Sequence, residues 1–444
     1  MAVVSGRRLI VLLIVLAAIG APAVALRALC AGNSCDASSV AEPRVPFCPL
    51  PDALKAAIAD GYREDRSPDV LAVTGSVPAF TELPDGQLRV PWPSVGEPIP
   101  GTVPIVFAGA GVRAGATVPD GTTLDSIAPT VSQILGFDRP FPDVRSGTPV
   151  PDVAGGDRPR LVLLIAWKGT GTAELDASPG EWPFLASLLD NGAGTLAGDT
   201  GSLPLDPAAT LTTIGTGGLP AQHGITGSFV RNDDGEVVPA FGERAPVQVI
   251  ATLADDLEEA GDGRPLVGLV ASDERDRGIV GGGWYPDEDP VDITIGGGAA
   301  VSLAVESYLS SGYGVDAEPD VLGVVMEGSI RSLDARTRRI VAAAERSGGS
   351  VLVVVAGTGS GELSRLAVPS EDLVRQVEDA VPGDRPVVAA TVAGGLFLDQ
   401  AVLADQEITG QVVVDALLSA ETPEGERMMA DAFQGFAVSF SRYC

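Results

Sequence analysis

Histidine is nearly missing from this chain of 444 residues, with His223 the single example. Lysine is almost as scarce, present only as Lys55 and Lys168, so the basic side is nearly all arginine. Cysteine occurs four times and aromatic residues make up 5%. One histidine excludes a zinc site built on two or more imidazoles of one chain. The 29 basic and 59 acidic residues leave a formal charge of −30, which argues against a surface that reads nucleic-acid phosphates. What is present is apolar and punctuated. Hydrophobic residues make up 45% and fall in periodic runs, which argues against disorder, and 55 glycines and 35 prolines separate those runs. The length fits one large domain or two to three average ones.

The longest apolar run, Leu9 to Leu26, follows Arg7 and Arg8. At about 1.5 Å per residue it is just long enough to span a hydrocarbon core. Three readings stand: an uncleaved anchor with its basic end in the cytoplasm, a cleaved secretory signal, and a buried core helix. Arg27 and Leu29 argue against a lipoprotein attachment at Cys30. The anchor and signal readings both place residues 31–444 outside the cytoplasm, attached to or released from the cell membrane. Cysteine placement agrees. Cys30, Cys35 and Cys48 follow the run and Cys444 ends the chain. An oxidising compartment favours disulfides, and four cysteines allow three pairings. Cys30–Cys35 with Cys48–Cys444 is the favoured pairing, free or intermolecular thiols the alternative.

Residues 1–30 are the anchor or signal and 31–50 a small-residue linker. Thereafter helical and extended patterns alternate. Helices are expected over 51–61, 123–137, 182–192, 247–261, 302–312, 332–348 and 409–418, and a turn–helix–turn element over 208–224. Strands are expected over 68–75, 102–112, 160–171, 265–272, 320–328 and 350–360. Continuous apolar runs such as "LVLLIAW" read as strands buried on both faces. The alternation predicts an α/β fold with a mostly parallel sheet and helices on both faces. Residues 361–444 read as a smaller α+β lobe, and a Pro/Gly/Asp-rich bridge at 140–159 divides the main domain, 51–360.

Ligands of open α/β sheets bind at the carboxyl ends of strands. The candidate loops are Thr74–Ser76, Trp167–Thr170, Glu327–Ser329 and Gly357–Ser360. Glu327 is the one acid among them, and a capping or solvated role is its plain reading. Gly169–Asp176 satisfies neither a P-loop nor a dinucleotide fingerprint. Asp206 precedes a Thr-rich helix whose Thr210, Thr212 and Thr213 supply hydroxyls. His223 lies at a turn and reads as structural, with a single-ligand or general-base role the lesser alternatives. The acidic stretch Tyr285–Asp292 reads as a solvated loop and lacks the spacing of a calcium loop.

Four stretches together resemble the alkaline phosphatase superfamily, nearest its phosphodiesterase and nucleotide-pyrophosphatase-like branch. They are "VLLIAWKGTG", "TTIGTGGLPAQHGITG", "VLVVVAGTGS", and "VPIVFAGAGVRAG" with "DSIAPTVSQILGF". In that family the last of these comes late; here block 51–139 precedes block 160–360, as in a circular permutation. The resemblance implies two metals held by Asp and His around a Thr or Ser nucleophile that transfers phosphoryl groups. This chain departs from it at each position. Lys168 stands for the first metal Asp, Gly357 and Thr358 for the Asp-His pair, and Thr102 for the late His. The nucleophile region aligns loosely on Asp206–Thr210, and His223 matches a structural His-Gly. The expectation is a kept fold with a lost bimetallic site, in which Lys168 fills the vacated position and pairs with a carboxylate such as Asp206 or Glu327. The functional expectation is an extracytoplasmic, membrane-tethered pseudophosphatase without a cofactor, binding an envelope protein or a small molecule. The alternatives are a rearranged hydrolase using Asp206, Thr210 and Glu327 with one magnesium or calcium ion, and a plain cell-envelope interaction domain.

Overall fold

The computed structural model describes residues 45–83, 88–96, 101–286, 290–361, 366–440 and 444. The apolar run 9–26, Cys30, Cys35 and most of the 31–50 linker lie outside them. Among the described residues no helix is long and apolar enough to cross a membrane.

The long apolar runs become a seven-stranded sheet. Its strands are β1 (Thr102–Gly109), β2 (Leu161–Trp167), β3 (Ala193–Asp199), β4 (Val267–Ala271), β5 (Asp292–Ile295), β6 (Asp320–Met326) and β7 (Val351–Gly357). They lie in the order β5-β4-β6-β2-β7-β1-β3. The first five are parallel; β1 runs antiparallel to β7, and β3 runs antiparallel to β1 and so in the direction of the five. Strand β2 is buried at every position because it is central and covered on both faces.

Period-two alternation divides that burial between two apolar cores. Val162, Leu164 and Ala166 face the helices Ile127–Leu135, Pro207–Thr216 and Leu253–Ala260. Leu161, Leu163, Ile165 and Trp167 face Pro183–Asn191, Ala300–Ser310 and Ile330–Arg346. The helix expected from 247 starts at Leu253 because Thr252 caps it, with Asp255 completing a reciprocal capping box. Edge strands β3 and β5 escaped the sequence reading: β3 is broken by glycines and β5 is exposed at all four positions.

A second, antiparallel sheet corrects the expected boundary between 51–360 and 361–444. Its order is Val388–Val392, Gly395–Leu398, Val70–Thr74 and Met429–Gln434. The early strand pairs with the late ones on both sides, Val70 opposite both Leu396 and Gln434. All five of its residues are buried, so it needs a neighbour on each edge. Thr74–Ser76 therefore ends a strand of this lobe and leaves the list of main-sheet loops. One apolar core joins Leu54, Ile58 and Trp92 to Leu373, Val413 and Phe433. Cys48 and Cys444 form a disulfide across 396 residues and close the two ends of this lobe on each other. Residues 46–444 form one compact unit.

Candidate functional site

The carboxyl end of β2 delivers Lys168 into the protein. Its amide donates to the Met326 carbonyl (2.8 Å), continuing the ladder with β6. Its Nζ lies 3.0 Å from Asp276 Oδ1, with the two side chains 2% and 1% exposed. The partner is a carboxylate, as expected, but it is Asp276; Asp206 caps a helix instead. Asp276 sits on a 3-10 turn, Glu274–Ile279, after β4. Glycine lets that turn approach: a Cβ on Gly278 would lie 2.0 Å from Thr212 Oγ1, and one on Gly215 would lie 2.3 Å from the Gly278 carbonyl. Burial pushes the Asp276 carboxyl up to about 6, against the pull of Lys168 and with a further push from Asp273 and Glu327.

A second cation stands beside the first. Arg275 donates from its amide (2.8 Å) and Nε (2.7 Å) to Asp273 Oδ1, and from Nη2 to Oδ2. Burial raises the Asp273 carboxyl, but the bonds from Arg275 outweigh it and hold the group below the usual range. The Arg275 charge also reaches Asp206. Asp206 is the N-cap of helix Pro207–Thr216 and accepts from the Ala208 amide (3.0 Å) and the Ser228 hydroxyl (2.9 Å). It is fully buried, and that desolvation raises its pKa. Thr210 turns its hydroxyl back to the carbonyls of Asp206 and Pro207. Neither side chain is presented as a nucleophile or base.

Gly357 and Thr358 close the strand ends. A Cβ on Gly357 would lie 2.2 Å from the Thr170 carbonyl, so no larger residue fits there. Thr358 Oγ1 accepts from the Gly169 amide (2.9 Å), and the Gly359 and Gly361 amides donate to Thr170 and Gly169. Thr102 opens β1, exposed and paired in register with Asp199. Two divalent ions do not fit these residues: an ammonium fills one position, and backbone contacts fill the others. Among the described residues, no group of three His, Cys, Asp or Glu side chains converges to hold a metal.

His223 is buried entirely. Its Nδ1 accepts from the Ile225 amide (3.2 Å), which leaves Nε2 to donate to Thr213 Oγ1 (3.1 Å). Burial lowers its pKa to about 3, a bond to Ala209 opposing and the Arg63 charge assisting. A lowered histidine contributes stability that is present above about 6.5 and lost as pH falls toward 3. The ring is expected to stay neutral between pH 8 and 5. As the chain has one histidine, a single pair of imidazole proton resonances reports it. A titration step near 6.5 in the folded protein would place the ring in water instead.

A cleft with a cavity volume of about 410 Å3 opens beside Lys168, between β6 and the loop after β5. Arg336 and Glu327 line it, with Gly296–Gly298 on the opposite wall. Arg336 Nη2 donates to the Glu327 carbonyl, and burial lowers the guanidinium pKa while Glu327 raises it. In the acidic stretch Tyr285–Asp292, Tyr285 bonds Asp256 (2.8 Å) and Asp292 belongs to β5; residues 287–289 lie outside the described ones. Sequence reasoning missed Asp273, Arg275, Asp276 and Arg336. The strand 265–272 was expected, so the charged loop at its carboxyl end, "SDERDRG", was a readable signal.

No protein-family model and no curated protein matches the sequence. Solved structures do. One is an alkaline phosphatase, a PafA variant with four substitutions (13% identity, TM-score 0.41, 63% of this chain and 86% of that one). Another is murine ectonucleotide pyrophosphatase/phosphodiesterase 5 (12%, 0.42, 63% and 79%). A third is phosphonoacetate hydrolase from Sinorhizobium meliloti 1021 (17%, 0.28, 44% and 55%), so this match spans about half of that protein. All three are alkaline phosphatase superfamily members, the family whose sequence blocks this chain resembles.

Proposed function

We propose that this protein is a non-catalytic binding or scaffolding protein of the cell envelope, built on a phosphoesterase-like fold and held at the membrane by residues 9–26. The observation that carries the non-catalytic part is the buried Lys168–Asp276 pair at the end of the central strand. Two divalent ions at about 4 Å need several anionic or imidazole ligands to offset their repulsion and desolvation. Here the nearby acids are spent on side-chain cations: Asp276 on Lys168 and Asp273 on Arg275. Asp206 is spent on capping a helix. The membrane and envelope placement is supported by the 18-residue apolar run after Arg7 and Arg8 and by the disulfide Cys48–Cys444. The cleft beside Lys168, with Arg336 on its wall and glycines opposite, supports binding of a small polar ligand with an anionic group.

The test is elemental analysis of the purified extracytoplasmic portion together with a panel of phosphomonoesters and phosphodiesters, with magnesium, calcium, manganese and zinc added in turn. The expected result is less than about 0.1 divalent ion per chain and no turnover above buffer, set against the full occupancy that a two-metal site needs. Stoichiometric metal with turnover that chelation abolishes would overturn the proposal in favour of a rearranged hydrolase.

A further inference from the structure

The helix Ile330–Arg346 concentrates positive charge in an otherwise acidic molecule. It carries Arg331, Arg336, Arg338, Arg339 and Arg346, in a chain of formal charge −30. Arg336 turns inward to the strand ends, but Arg331, Arg338 and Arg339 face a surface groove with a cavity volume of about 460 Å3. Positions 331, 338 and 339 are seven and eight residues apart, so they share one helix face. Pro183 and Phe184 form the opposite wall.

The acids of this groove are already committed. Asp334 is buried and accepts from the Phe184 (3.1 Å) and Leu185 (2.8 Å) amides, where it caps the helix Pro183–Asn191 from outside. Glu181 pairs with Arg331 at 2.8 Å. Arg338 and Arg339 are exposed and make no hydrogen bond or ion pair with any described residue. Burial lowers the Arg336 pKa, and the Arg339 charge lowers it further, so the guanidinia repel one another across the helix. Two adjacent guanidinia beside an aromatic and a proline match carboxylates flanked by an apolar side chain. The Glu181–Arg331 pair shows that chemistry within the groove itself.

We propose that this groove docks an acidic peptide segment of a partner protein, its carboxylates on Arg338 and Arg339 and an apolar side chain against Phe184. The charge complementarity is local, because the rest of the surface repels such a segment. This surface lies outside the strand-end cleft and stands whether or not that cleft binds a ligand.

The probe is a fluorescein-labelled peptide of six glutamates ending in leucine amide, followed by anisotropy against the whole extracytoplasmic portion at 50 and 300 mM salt. Inorganic polyphosphate is run alongside. Arg338→Glu with Arg339→Glu is expected to weaken peptide binding at least about tenfold, through lost pairs and added repulsion. Arg346→Glu, with the same change of charge per site at the far end of the helix, is expected to leave binding within about twofold. Should the double reversal fail to fold by circular dichroism, Arg338→Gln with Arg339→Gln replaces it, with the same direction expected. Absent peptide binding to the wild-type protein at 50 mM salt overturns the proposal. So does an equal loss in Arg346→Glu, or binding of polyphosphate alone.

Discussion

Replacing Lys168 with methionine is expected to remove about 2–3 kcal/mol of folding free energy at pH 8, because it leaves a buried carboxylate without its counter-charge. The methionine matches the lysine stem in length, so packing changes little and the missing charge dominates. The pH dependence gives the test its sign. Asp276 has a folded-state pKa raised to about 6, above the ordinary value of about 3.9. Such a carboxyl contributes stability that is present below the unfolded value and is lost as pH rises through the folded one. Removing Lys168 removes a lowering influence, so the Asp276 pKa climbs beyond its present value and the window of loss extends upward. The deficit of Lys168→Met is therefore expected to be small at pH 4.5, where Asp276 is protonated in both proteins, and to grow by at most about 1.4 kcal/mol per pH unit above 6, so that it is largest at pH 8. Urea unfolding at pH 4.5, 6 and 8 measures it. The double variant Lys168→Met, Asp276→Leu is expected to recover most of the loss, since an apolar pair of similar volume avoids desolvating two charges. A deficit under about 1 kcal/mol that does not change with pH would mean that the amine is solvated and the pair is a surface pair.

That pairing marks how far the sequence could be read. The main sheet was legible because its strands are buried on both faces and so appear as unbroken apolar runs, "LVLLIAW" and "VLVVVAG" among them. The helices were legible from their caps and periodicity. The strand Val70–Thr74 was placed on the wrong side of the domain boundary for a physical reason: a buried strand looks alike in either sheet, and only its partners, more than 300 residues away, decide the matter. The site was legible in what it had exchanged. Lys168 stood out as one of two lysines, at the end of a strand too apolar to leave it exposed. Its partner did not stand out, because Asp276 is one acid among many in a chain of 59. It is set apart only by the glycine contacts that press its turn against the Thr-rich helix. Glu327 was singled out for its position at the end of β6, and it does line the cleft; Asp206 and Thr210 were singled out likewise, and the helix start absorbs both.

Asp256 is the second residue on which a large effect is expected. Its carboxylate is fully buried and receives Arg139 Nε (2.8 Å) and Arg145 Nη2 (3.1 Å) on one oxygen and the Tyr285 hydroxyl (2.8 Å) on the other. Arg139 immediately precedes the Pro-rich bridge and Arg145 lies within it, and both also donate to the carbonyls of Thr216 and Ala251. Thr216 ends the Thr-rich helix, so the arginines supply positive charge where a helix carries its negative end. Burial already lowers the Arg139 pKa to about 10, with Asp256 as the main opposing influence. Asp256→Ala leaves two guanidinia buried without a counter-charge, and arginine does not shed its proton at neutral pH. The inexpensive escape is for the bridge to detach and hydrate both. The expected outcome is a loss of about 3–5 kcal/mol, with new tryptic cleavage after Arg145 before global unfolding, since the Arg139–Pro140 bond resists trypsin. Asp256→Asn is expected to fall close behind, because its amide keeps the shape but presents hydrogen-bond donors to guanidinia. Lys168→Met should leave the tryptic pattern of the bridge unchanged, since its charge lies on the strand-end side of the helix Pro207–Thr216 and Asp256 pairs at the other end. If Asp256→Ala melts within about 1 °C of the parent and trypsin still spares the bridge, the cluster is not what holds residues 138–149 to the sheet.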